Sequence, residues 1–355
     1  MAQSNNHLVI MAGGVGSRFW PMSTTEHPKQ FIDVLGVGQT LLQLTYDRFS
    51  GVVPSDNVWV VTNQKYVDLV HEQLPKMPLN HILSEPCRRN TAPCIAYVSW
   101  RIKKENPKAN IVVSPSDHVV MDNTEFRRVV TNCMKFTAET DAIVTLGMKP
   151  TRPETGYGYI QADLSTASAR NKEIYRVDHF REKPDLETAE RYIQQNNFFW
   201  NAGIFIWSAS TIVNAFRIYQ PSVARIFEQI MNVLGTSEEQ RVIDEVYPEC
   251  ENISVDYAIM ERAEEIFVCP ASFGWSDLGT WGSLMAQSQR DLYGNAIIGN
   301  EIHLFDSRNC IVHTTEERKV VIQGLDGYIV AEQGGKLLIC KISEEQRLKQ
   351  FTGEG

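Results

Sequence analysis

The sequence predicts an α/β fold, in which helices cover both faces of a mostly parallel sheet, followed by a small all-β C-terminal domain. Up to about residue 150, short apolar runs alternate with segments that place apolar residues at helical spacing. Strands that alternate with helices form βαβ units and a parallel sheet buried on both sides, which is a Rossmann-like arrangement. After Gly294 the helical periodicity disappears, and short strands separated by turn residues follow.

In the first part, five short apolar segments are predicted strands: 7–13, 57–62, 80–86, 110–117 and 142–148. The segments between them have helical periodicity and are predicted helices: 40–49, 64–74, 91–106 and 124–139. Ligands of such sheets bind outside the carboxyl ends of the strands. Polar or glycine residues lie at the carboxyl ends of three of these strands, at 13–16, 85–88 and 114–118, so we expect a binding site there.

From residue 155 to about 290 the pattern is mixed. Strands, some of them antiparallel, are predicted at 156–162, 174–184 and 201–208, and helices at about 186–196, 209–219, 222–234 and 254–264. We place the domain boundary between residues 292 and 293, which gives a large domain of residues 1–292 and a small all-β domain of residues 293–355. The short strands of the small domain suit a sandwich, a barrel or a short β-helix.

Composition and charge exclude several classes of partner. The chain has 355 residues, of which 43% are hydrophobic and 22% charged, as in ordinary globular proteins. A chain of this length can bury a large core without disulfides or metals. Its net charge of −9 argues against nucleic acid and anionic membrane surfaces as partners. A local basic cluster could still bind a small anionic molecule.

The cysteine spacing and the N-terminal residues predict a reduced, cytoplasmic protein. Seven cysteines lie at irregular spacings without a C-x-x-C pair, so neither a zinc site nor a redox motif is indicated. Buried thiols in predicted strands and helices are typical of a reducing compartment. The first residues lack the basic and apolar regions of a signal peptide. No apolar run approaches the ~20 residues of a membrane-spanning helix.

The first predicted strand runs into a glycine-rich loop that matches neither common nucleotide-binding signature. The loop contains Gly13, Gly14 and Gly16. It lacks the Lys-Ser/Thr pair of a P-loop, and Phe19 spoils the match to G-x-G-x-x-G. Glycines nevertheless let main-chain N–H groups turn towards phosphate oxygens. Arg18 could add a bidentate cation and Lys29 a point charge. The alternative for the loop alone is a tight turn with solvated cations.

Nine segments between about residues 8 and 282 resemble the motifs of one known family, in the same order. They are AGGVGSRFWPMS, PKQF, EPCRRNTAP, SPSDH, TGYGYI, FREKP, NAGIFIW, SVDYAIMER and WSDLGTW. This series resembles the sugar-1-phosphate nucleotidyltransferases, and among them the mannose-1-phosphate guanylyltransferases (GDP-mannose pyrophosphorylases). Arg181 replaces the valine of the usual F-V-E-K-P segment, but this position need not contact substrate. The resemblance implies that residues 1–292 are a nucleotidyltransferase catalytic domain.

The implied reaction is nucleotidyl transfer, in which mannose 1-phosphate attacks the α-phosphorus of GTP in line and pyrophosphate leaves. Such reactions need positioning and charge neutralisation more than covalent help. Because the attacking group is already an anionic phosphate oxygen, a general base adds little. By resemblance, the catalytic cations are Arg18, Lys29 and Lys183, together with Mg²⁺.

The resemblance gives the metal to Asp117 and Asp277, which are 160 positions apart in the chain. Mg²⁺ prefers one or two carboxylates together with phosphate oxygens and waters. For either aspartate alone, the alternative is a helix cap or a turn residue. His118 follows Asp117 directly, and we expect it to pack behind the carboxylate rather than to bind the metal.

The resemblance assigns Lys183 to the phosphate of the sugar and Glu182 to one of its hydroxyls. The Asn201 amide can donate to and accept from hydroxyls, and Gly158 permits close approach of the main chain to the sugar. Neighbouring residues of a regular strand point to opposite faces, so Glu182 and Lys183 can share a site only if the strand end twists or bulges. The alternatives are a surface ion pair for Glu182 and Lys183 and a turn for Gly158 or Asn201.

The loop after the third predicted strand is expected to bind the guanine base. Glu85 could accept from the N1–H and N2–H groups of guanine, and Arg88 would face phosphate or pair with Glu85. Asn90 is assigned to the nucleotide as well, although an asparagine before a helical run is also a common N-cap. Ser114, at the end of the fourth predicted strand, completes the predicted nucleotide site.

Two other functions remain open at this point. One is the same reaction with another pair of sugar 1-phosphate and nucleoside triphosphate, which the segments FWPMS, PKQF and EPCRRNTAP disfavour. The other is a catalytically silent relative that binds a nucleotide sugar as a regulatory subunit. The retained pair of metal carboxylates, Asp117 and Asp277, argues against that role. The C-terminal domain is a candidate for homo-oligomer formation.

Overall fold

The structure is a computed structural model that describes residues 4–14, 17–315 and 319–353. The contacts between Cα atoms divide the described chain into two compact units. Unit 1 comprises the described residues of 1–13, 46–115 and 120–275, and unit 2 those of 14–45, 116–119 and 276–355. The predicted boundary between residues 292 and 293 stays a prediction, because unit 2 groups residues 293–355 with 276–292 and two earlier segments.

The strands are β1 (Asn6–Met11), β2 (Val58–Asn63), β3 (Ile82–Glu85), β4 (Asn110–Pro115), β5 (Val119–Val120), β6 (Ile143–Met148), β7 (Tyr159–Ala167), β8 (Tyr175–Arg181), β9 (Phe198–Ser208), β10 (Ile266–Ala271), β11 (Trp275–Ser276), β12 (Ala296–Ile298), β13 (Ile302–Phe305), β14 (Ile311–Thr314), β15 (Val320–Gln323), β16 (Tyr328–Gln333) and β17 (Lys336–Lys341). The α-helices are α1 (Leu41–Arg48), α2 (Val67–Gln73), α3 (Thr91–Glu105), α4 (Asn123–Ala138), α5 (Leu186–Ile193), α6 (Ala209–Tyr219), α7 (Pro221–Gln229), α8 (Glu239–Val246), α9 (Trp281–Gln287) and α10 (Leu348–Thr352).

Unit 1 is built on a large mixed sheet, which in the described part of the chain has nine strands in the order β3-β2-β1-β4-β9-β6-β10-β8-β7. β8 and β9 run antiparallel to each of their neighbours, so the remaining strands all point in one direction. The sheet therefore consists mostly of parallel strands, as predicted. Its central strands are almost continuously apolar and buried, as expected for a sheet covered on both sides.

Helices pack on both faces of this sheet. Ile111 of β4 belongs to the same buried apolar cluster as residues of α3, α6 and α7. The preceding residue, Asn110, instead donates from Nδ2 to the main-chain oxygen of Met134 in α4, at 2.8 Å, and accepts from Thr137 Oγ1, also at 2.8 Å. Because neighbouring residues of a strand point to opposite faces, α3 and α4 lie on opposite sides of the sheet.

Unit 2 contains the C-terminal strands, and their pairing is that of a short β-helix. β12, β14 and β16 pair in parallel, and β13 pairs in parallel with β15, so each parallel step passes over one intervening strand. Ala296, Ile311 and Ile329 are aligned on successive strands, and each is fully buried in the core cluster of this unit. β17 then pairs antiparallel with β16. Of the three forms left open by the sequence, the β-helix is the one found.

β10, α8 and α9 are not among the predicted elements, and one predicted helix is longer than the helical turn found. The apolar run of β10 is interrupted by Pro270, and α8 buries only Ile243, so both signals are weak. The helix predicted at 254–264 is a five-residue π-helical turn, Asp256–Met260. Among the described residues, no helix has the length and apolar character needed to cross a membrane.

Gly147 of β6 provides a test of how tightly the sheet is packed. A Cβ at this position would lie 2.7 Å from Val268 Cγ2 and 2.9 Å from Phe199 Cβ. We expect Gly147→Ala to lower the free energy of unfolding by about 1–3 kcal/mol, because the added methyl group overpacks the core. Urea denaturation measures this change. Val321→Ala, at a position that is 59% exposed, should stay within about 0.5 kcal/mol. An unchanged midpoint for Gly147→Ala would contradict the packing described here.

Candidate active site

The carboxyl ends of parallel strands bring three predicted residues of unit 1 to one edge of the large sheet. Met11 of β1 is aligned with Pro115 of β4, and β2 joins β1 to β3, which ends at Glu85. A Cβ on Gly13 would lie 3.2 Å from Glu85 Oε2, so the glycine leaves room for this carboxylate. Ser114 is fully buried, and its hydroxyl donates to the main-chain oxygen of Pro115 at 3.1 Å.

Glu85 is a buried carboxyl group with an unusual environment. Burial raises the pKa of Glu85 to about 7, although a hydrogen bond from Tyr247 and the positive charge of Arg88 act in the opposite direction. The Tyr247 hydroxyl donates to Glu85 Oε1. Glu85 therefore changes its charge close to neutral pH. No local signal in the sequence could have found Tyr247, since it lies 162 positions from Glu85 and outside the nine segments of resemblance.

The other two residues of the predicted base-binding loop lie at the surface. Arg88 is exposed, and its positive charge lowers the pKa of Glu85. Asn90 has a φ of 65° and caps α3, because its Oδ1 accepts from the N–H of Thr91 at 2.9 Å. The capping alternative therefore describes the Asn90 side chain, and a role in nucleotide binding stays a prediction for both residues.

Glu182 and Lys183 are brought to the same side by a turn at the end of β8. Lys183 has a φ of 46°, and its N–H donates to the main-chain oxygen of Tyr157 at 3.2 Å. Its ammonium donates to Glu182 Oε1. A Cβ on Gly158 would lie only 2.6 Å from Glu182 Oε2, so this carboxylate occupies the space that glycine leaves open. The strand end thus departs from regular alternation, as a shared site requires.

The charges of this pair are unevenly buried. The Glu182 side chain is 8% exposed, whereas that of Lys183 is 57% exposed. Burial lowers the pKa of Lys183, but the hydrogen bond and charge of Glu182 outweigh it and raise the pKa above its usual value. Lys183 is therefore a protonated ammonium with an accessible stem, which can turn from Glu182 towards an anion.

Asn201 lies inside β9, and its side-chain amide is already engaged. Its Oδ1 accepts from Thr145 Oγ1 at 2.9 Å and from the N–H of Gly203 at 3.1 Å. Its Nδ2 donates to Asp256 Oδ1 at 2.9 Å. Sugar binding by Asn201 stays a prediction, and the structure adds that its amide oxygen already accepts from two groups. Its two acceptor positions are filled, so it can offer only the second hydrogen of Nδ2.

Lys29 is the centre of the site in unit 2. Its side chain is 5% exposed, and its ammonium lies 3.0 Å from Asp117 Oδ2. The same ammonium donates to the main-chain oxygens of Asp277, at 2.9 Å, and Leu278, at 3.0 Å. It also lies 5.7 Å from the ring centre of Phe19. One cation thus joins segments that are distant in the sequence: it contacts the carboxylate of Asp117 and the main-chain oxygen of Asp277.

The Asp117 carboxyl is held in its ionised form. Burial raises its pKa, but the Lys29 ammonium and then His118 outweigh burial and place the pKa below its usual value. His118 Nε2 lies 3.7 Å from Asp117 Oδ1. The Asp117 side chain remains 31% exposed and can therefore still accept a further cation.

Asp277 lies in a tight turn that orders its carboxylate. Its Oδ1 accepts from the N–H of Gly279 at 3.0 Å, and a Cβ on Gly279 would lie 2.8 Å from its Oδ2. Leu278 adopts a φ of 46° and is fully buried, which fixes the turn in the core of unit 2. The exposed Arg18 reaches the same turn, with Nη1 at 3.5 Å from the main-chain oxygen of Gly279. The turn alternative and the metal role are therefore compatible for Asp277.

The glycine-rich loop is described only in part. Gly14 belongs to unit 2, and its main-chain oxygen accepts from the side-chain amide of Gln30 at 2.8 Å. Gln30 is almost fully buried, so this hydrogen bond holds the start of the loop to a buried side chain. The predicted role of Gly16 falls outside the described residues. Gln30 lies next to Lys29 in the segment PKQF, but the sequence predicts a role only for Lys29.

The groups around Lys29 fit a hard divalent cation. They are carboxylate and main-chain oxygens, and the Lys29 ammonium already lies among them as a cation held by oxygen. Within the described ranges 4–14, 17–315 and 319–353, no group of three or more His, Cys, Asp or Glu side chains could hold a metal. Two carboxylates completed by substrate oxygens and waters is the ligand set typical of Mg²⁺.

Comparison with known proteins decides the family. A model of the nucleotidyl transferase family matches residues 7–293. The chain belongs to the nucleotidyl transferase family. This nucleotidyl transferase is 35% identical over 357 residues to the mannose-1-phosphate guanylyltransferase of Escherichia coli (strain K12), with 97% of this chain and 74% of that protein covered. It is 36% identical over 352 residues to the alginate biosynthesis protein AlgA of Pseudomonas fluorescens, with 97% and 70% covered.

A solved structure agrees with this assignment. The crystal structure described as mannose-1-phosphate geranyltransferase from Thermus thermophilus superposes on this nucleotidyl transferase with a TM-score of 0.86 and 30% identity. The match covers 99% of both chains. The α/β sheet and the C-terminal β-region are thus shared over the whole length of the two proteins.

The electrostatics around Lys29 lead to a direct prediction. We expect Lys29→Gln to raise the pKa of Asp117, because the variant removes the strongest influence that lowers it. In the wild type, a carboxyl with a depressed pKa contributes stability above its unfolded pKa and loses it as the pH falls through the folded pKa. The variant should lose this contribution. Titration of ¹³C-labelled aspartate carboxyls by NMR measures the shift.

The matched control for this titration is Lys172→Gln, which removes an exposed lysine of unit 1. It should leave the Asp117 titration unchanged. An Asp117 pKa that stays the same in Lys29→Gln would show that the ammonium does not hold the carboxylate in solution.

Proposed function

We propose that this nucleotidyl transferase makes GDP-mannose and pyrophosphate from GTP and mannose 1-phosphate. The observation that supports nucleotidyl transfer most directly is the Lys29 ammonium bound to Asp117 and to the main chain at Asp277 and Leu278. The support for mannose and guanine comes from the relatives, which include a mannose-1-phosphate guanylyltransferase at 35% identity. The mechanism is in-line attack of the sugar phosphate oxygen on the α-phosphorus.

In this proposal, residues of unit 2 handle the triphosphate. Asp117 and Asp277 hold Mg²⁺, which when bound neutralises charge on the phosphate oxygens. Arg18, which is exposed at the Asp277 turn, binds phosphate through its guanidinium. Lys29 keeps Asp117 ionised and adds a fixed positive charge. The main-chain N–H groups of the glycine-rich loop, including Gly14, complete the phosphate contacts.

Residues of unit 1 select the base and the sugar phosphate. The Glu85 carboxylate accepts from the N1–H and N2–H groups of guanine, and Arg88, Asn90 and Ser114 are proposed to lie at the nucleotide. Lys183 leaves Glu182 to bind the phosphate of mannose 1-phosphate, and Glu182 then accepts from a sugar hydroxyl. Gly158 keeps the approach to Glu182 open, since a Cβ there would lie 2.6 Å from the carboxylate.

The first test is a matrix of substrates in the presence of Mg²⁺. Pyrophosphate release is measured with GTP, UTP and dTTP, each with mannose 1-phosphate and glucose 1-phosphate. The proposal requires the highest kcat/KM for GTP with mannose 1-phosphate. Turnover with only UTP or dTTP would replace the proposed substrates, and tight binding of a nucleotide sugar without any turnover would favour the regulatory function.

A second test addresses the metal. We expect Asp277→Asn to lower kcat by at least about 100-fold, because it removes one negative charge from the proposed magnesium site. The fold should be preserved, since the new side chain keeps an oxygen that can accept from Gly279. Asp306→Asn, at an exposed position of the same unit, is the control and should retain full activity. Normal turnover by Asp277→Asn would remove Asp277 from the metal site.

A third test uses the pKa of Glu85. Guanine needs the ionised carboxylate as acceptor, so kcat/KM for GTP should fall as the pH drops through about 7, the pKa of Glu85. Tyr247→Phe removes a hydrogen bond that lowers this pKa, so the fall should move to higher pH by about one unit.

The matched control for the pH profile is Tyr97→Phe. Tyr97 is also a buried tyrosine, and its hydroxyl donates to a different carboxylate, Glu239 Oε1, at 2.9 Å. This variant should leave the pH profile unchanged. If Tyr97→Phe and Tyr247→Phe move the profile equally, or neither moves it, Glu85 is not the group that titrates in GTP binding.

A further inference from the structure

Asp256 is the first residue of the π-helical turn in unit 1, and its carboxyl group faces residues assigned to the sugar. Its Oδ1 accepts from Asn201 Nδ2 at 2.9 Å. It lies in the segment SVDYAIMER, but the sequence assigns it no role. The residue as a whole is not completely buried.

A sugar hydroxyl bound to Asn201 would need a second group that accepts its hydrogen. Thr145 and Gly203 fill both acceptor positions of its amide oxygen, which leaves only one N–H for a ligand. A sugar hydroxyl that accepts from this N–H must in turn donate its own hydrogen. A carboxylate offers about four acceptor positions, and Asn201 and the Ser254 side chain each fill one of those of Asp256. Asp256 can therefore receive a hydroxyl hydrogen next to the Asn201 amide.

The charges of the cluster favour a ligand that donates hydrogen bonds. Burial, and then repulsion from Glu182, raise the pKa of Asp256 to about 7, while Lys183 acts in the opposite direction. Two carboxylates thus share one ammonium. When Lys183 turns to a phosphate, both carboxylates need new donors, and neighbouring hydroxyl groups of one sugar ring supply them without adding charge.

We propose that Asp256 determines sugar specificity in this nucleotidyl transferase: its carboxylate accepts from one ring hydroxyl of mannose 1-phosphate and orients Asn201 to donate to the same hydroxyl or its neighbour. This inference rests on the proposed function, because it names a further residue of the same sugar site. It assigns the hydroxyl contact to a pair, Asp256 and Asn201, in place of the amide alone.

The test is a double comparison of variant and substrate. Asp256→Asn keeps an oxygen that can accept from Asn201 and replaces the other oxygen by an amino group, so it removes the acceptor with little change of shape. Wild type and variant are assayed with mannose 1-phosphate and with its 2-, 3-, 4- and 6-deoxy analogues at saturating GTP. We expect Asp256→Asn to lower kcat/KM for mannose 1-phosphate by about 10- to 100-fold, mainly through KM.

The decisive result is whether the effects of the Asp256→Asn substitution and of removing one sugar hydroxyl are additive. One deoxy analogue should lose a similar factor with the wild type and lose nothing further with Asp256→Asn, because the hydrogen bond is already absent. Equal losses for every analogue in both proteins would overturn the proposal and leave Asp256 a support for Asn201. The KM for GTP should stay unchanged, and Asp178→Asn, at an exposed position of β8, should behave as wild type.

The same experiment distinguishes failure of this proposal from failure of the proposed function. In the latter case the wild type itself releases no pyrophosphate from GTP and mannose 1-phosphate. If Asp256→Asn does not fold, Asp256→Ser replaces it, since the serine hydroxyl can still accept from the Asn201 amide while the carboxylate is removed. Whether the two effects are additive then decides the proposal.

Discussion

The site in unit 2 depends on one buried cation. The Lys29 ammonium is bonded to the Asp117 carboxylate and to the main-chain oxygens of Asp277 and Leu278. A buried ammonium must have such partners, because its desolvation is costly, and breaking a buried ion pair leaves an uncompensated charge. Lys29 thereby links the Asp117 carboxylate, in the loop after β4, to the main chain of the turn before α9. It also keeps Asp117 ionised, which a metal ligand requires.

The same residue type serves different purposes in different surroundings. Asp117 has an ammonium beside it, and its pKa is lowered. Burial raises the pKa of both Glu85 and Asp256 to about 7, because the nearby positive charges do not fully offset it. The first environment suits a permanent cation ligand. The second suits an acceptor whose partner is a neutral donor, such as a guanine edge or a sugar hydroxyl, because a hydrogen bond to the charged form offsets part of the burial cost. Electrostatics thus distinguish the proposed metal, base and sugar residues.

Much of the fold follows from local pattern, whereas the site partners do not. The parallel strands and their helices are predictable because each combines a clear period with turn residues, but β10, with Pro270 in it, and α8, with one buried residue, give weak signals. The motif residues Lys29, Asp117 and Asp277 are predictable by resemblance. Tyr247, Gln30 and Asp256 are not, because their roles arise from contacts made only after folding. Asn201 shows the limit most clearly, since its chemistry is set by what already occupies its amide.

The central claim, that Asp117 and Asp277 hold one divalent cation beside Lys29, can be tested by anomalous scattering. Crystals grown with Mn²⁺ in place of Mg²⁺, together with GTP, locate the ion directly. We expect one peak at roughly 2 Å from a carboxylate oxygen of each aspartate, with the remaining ligands supplied by phosphate and water. A peak that contacts only one of the two carboxylates, or neither of them, would contradict it.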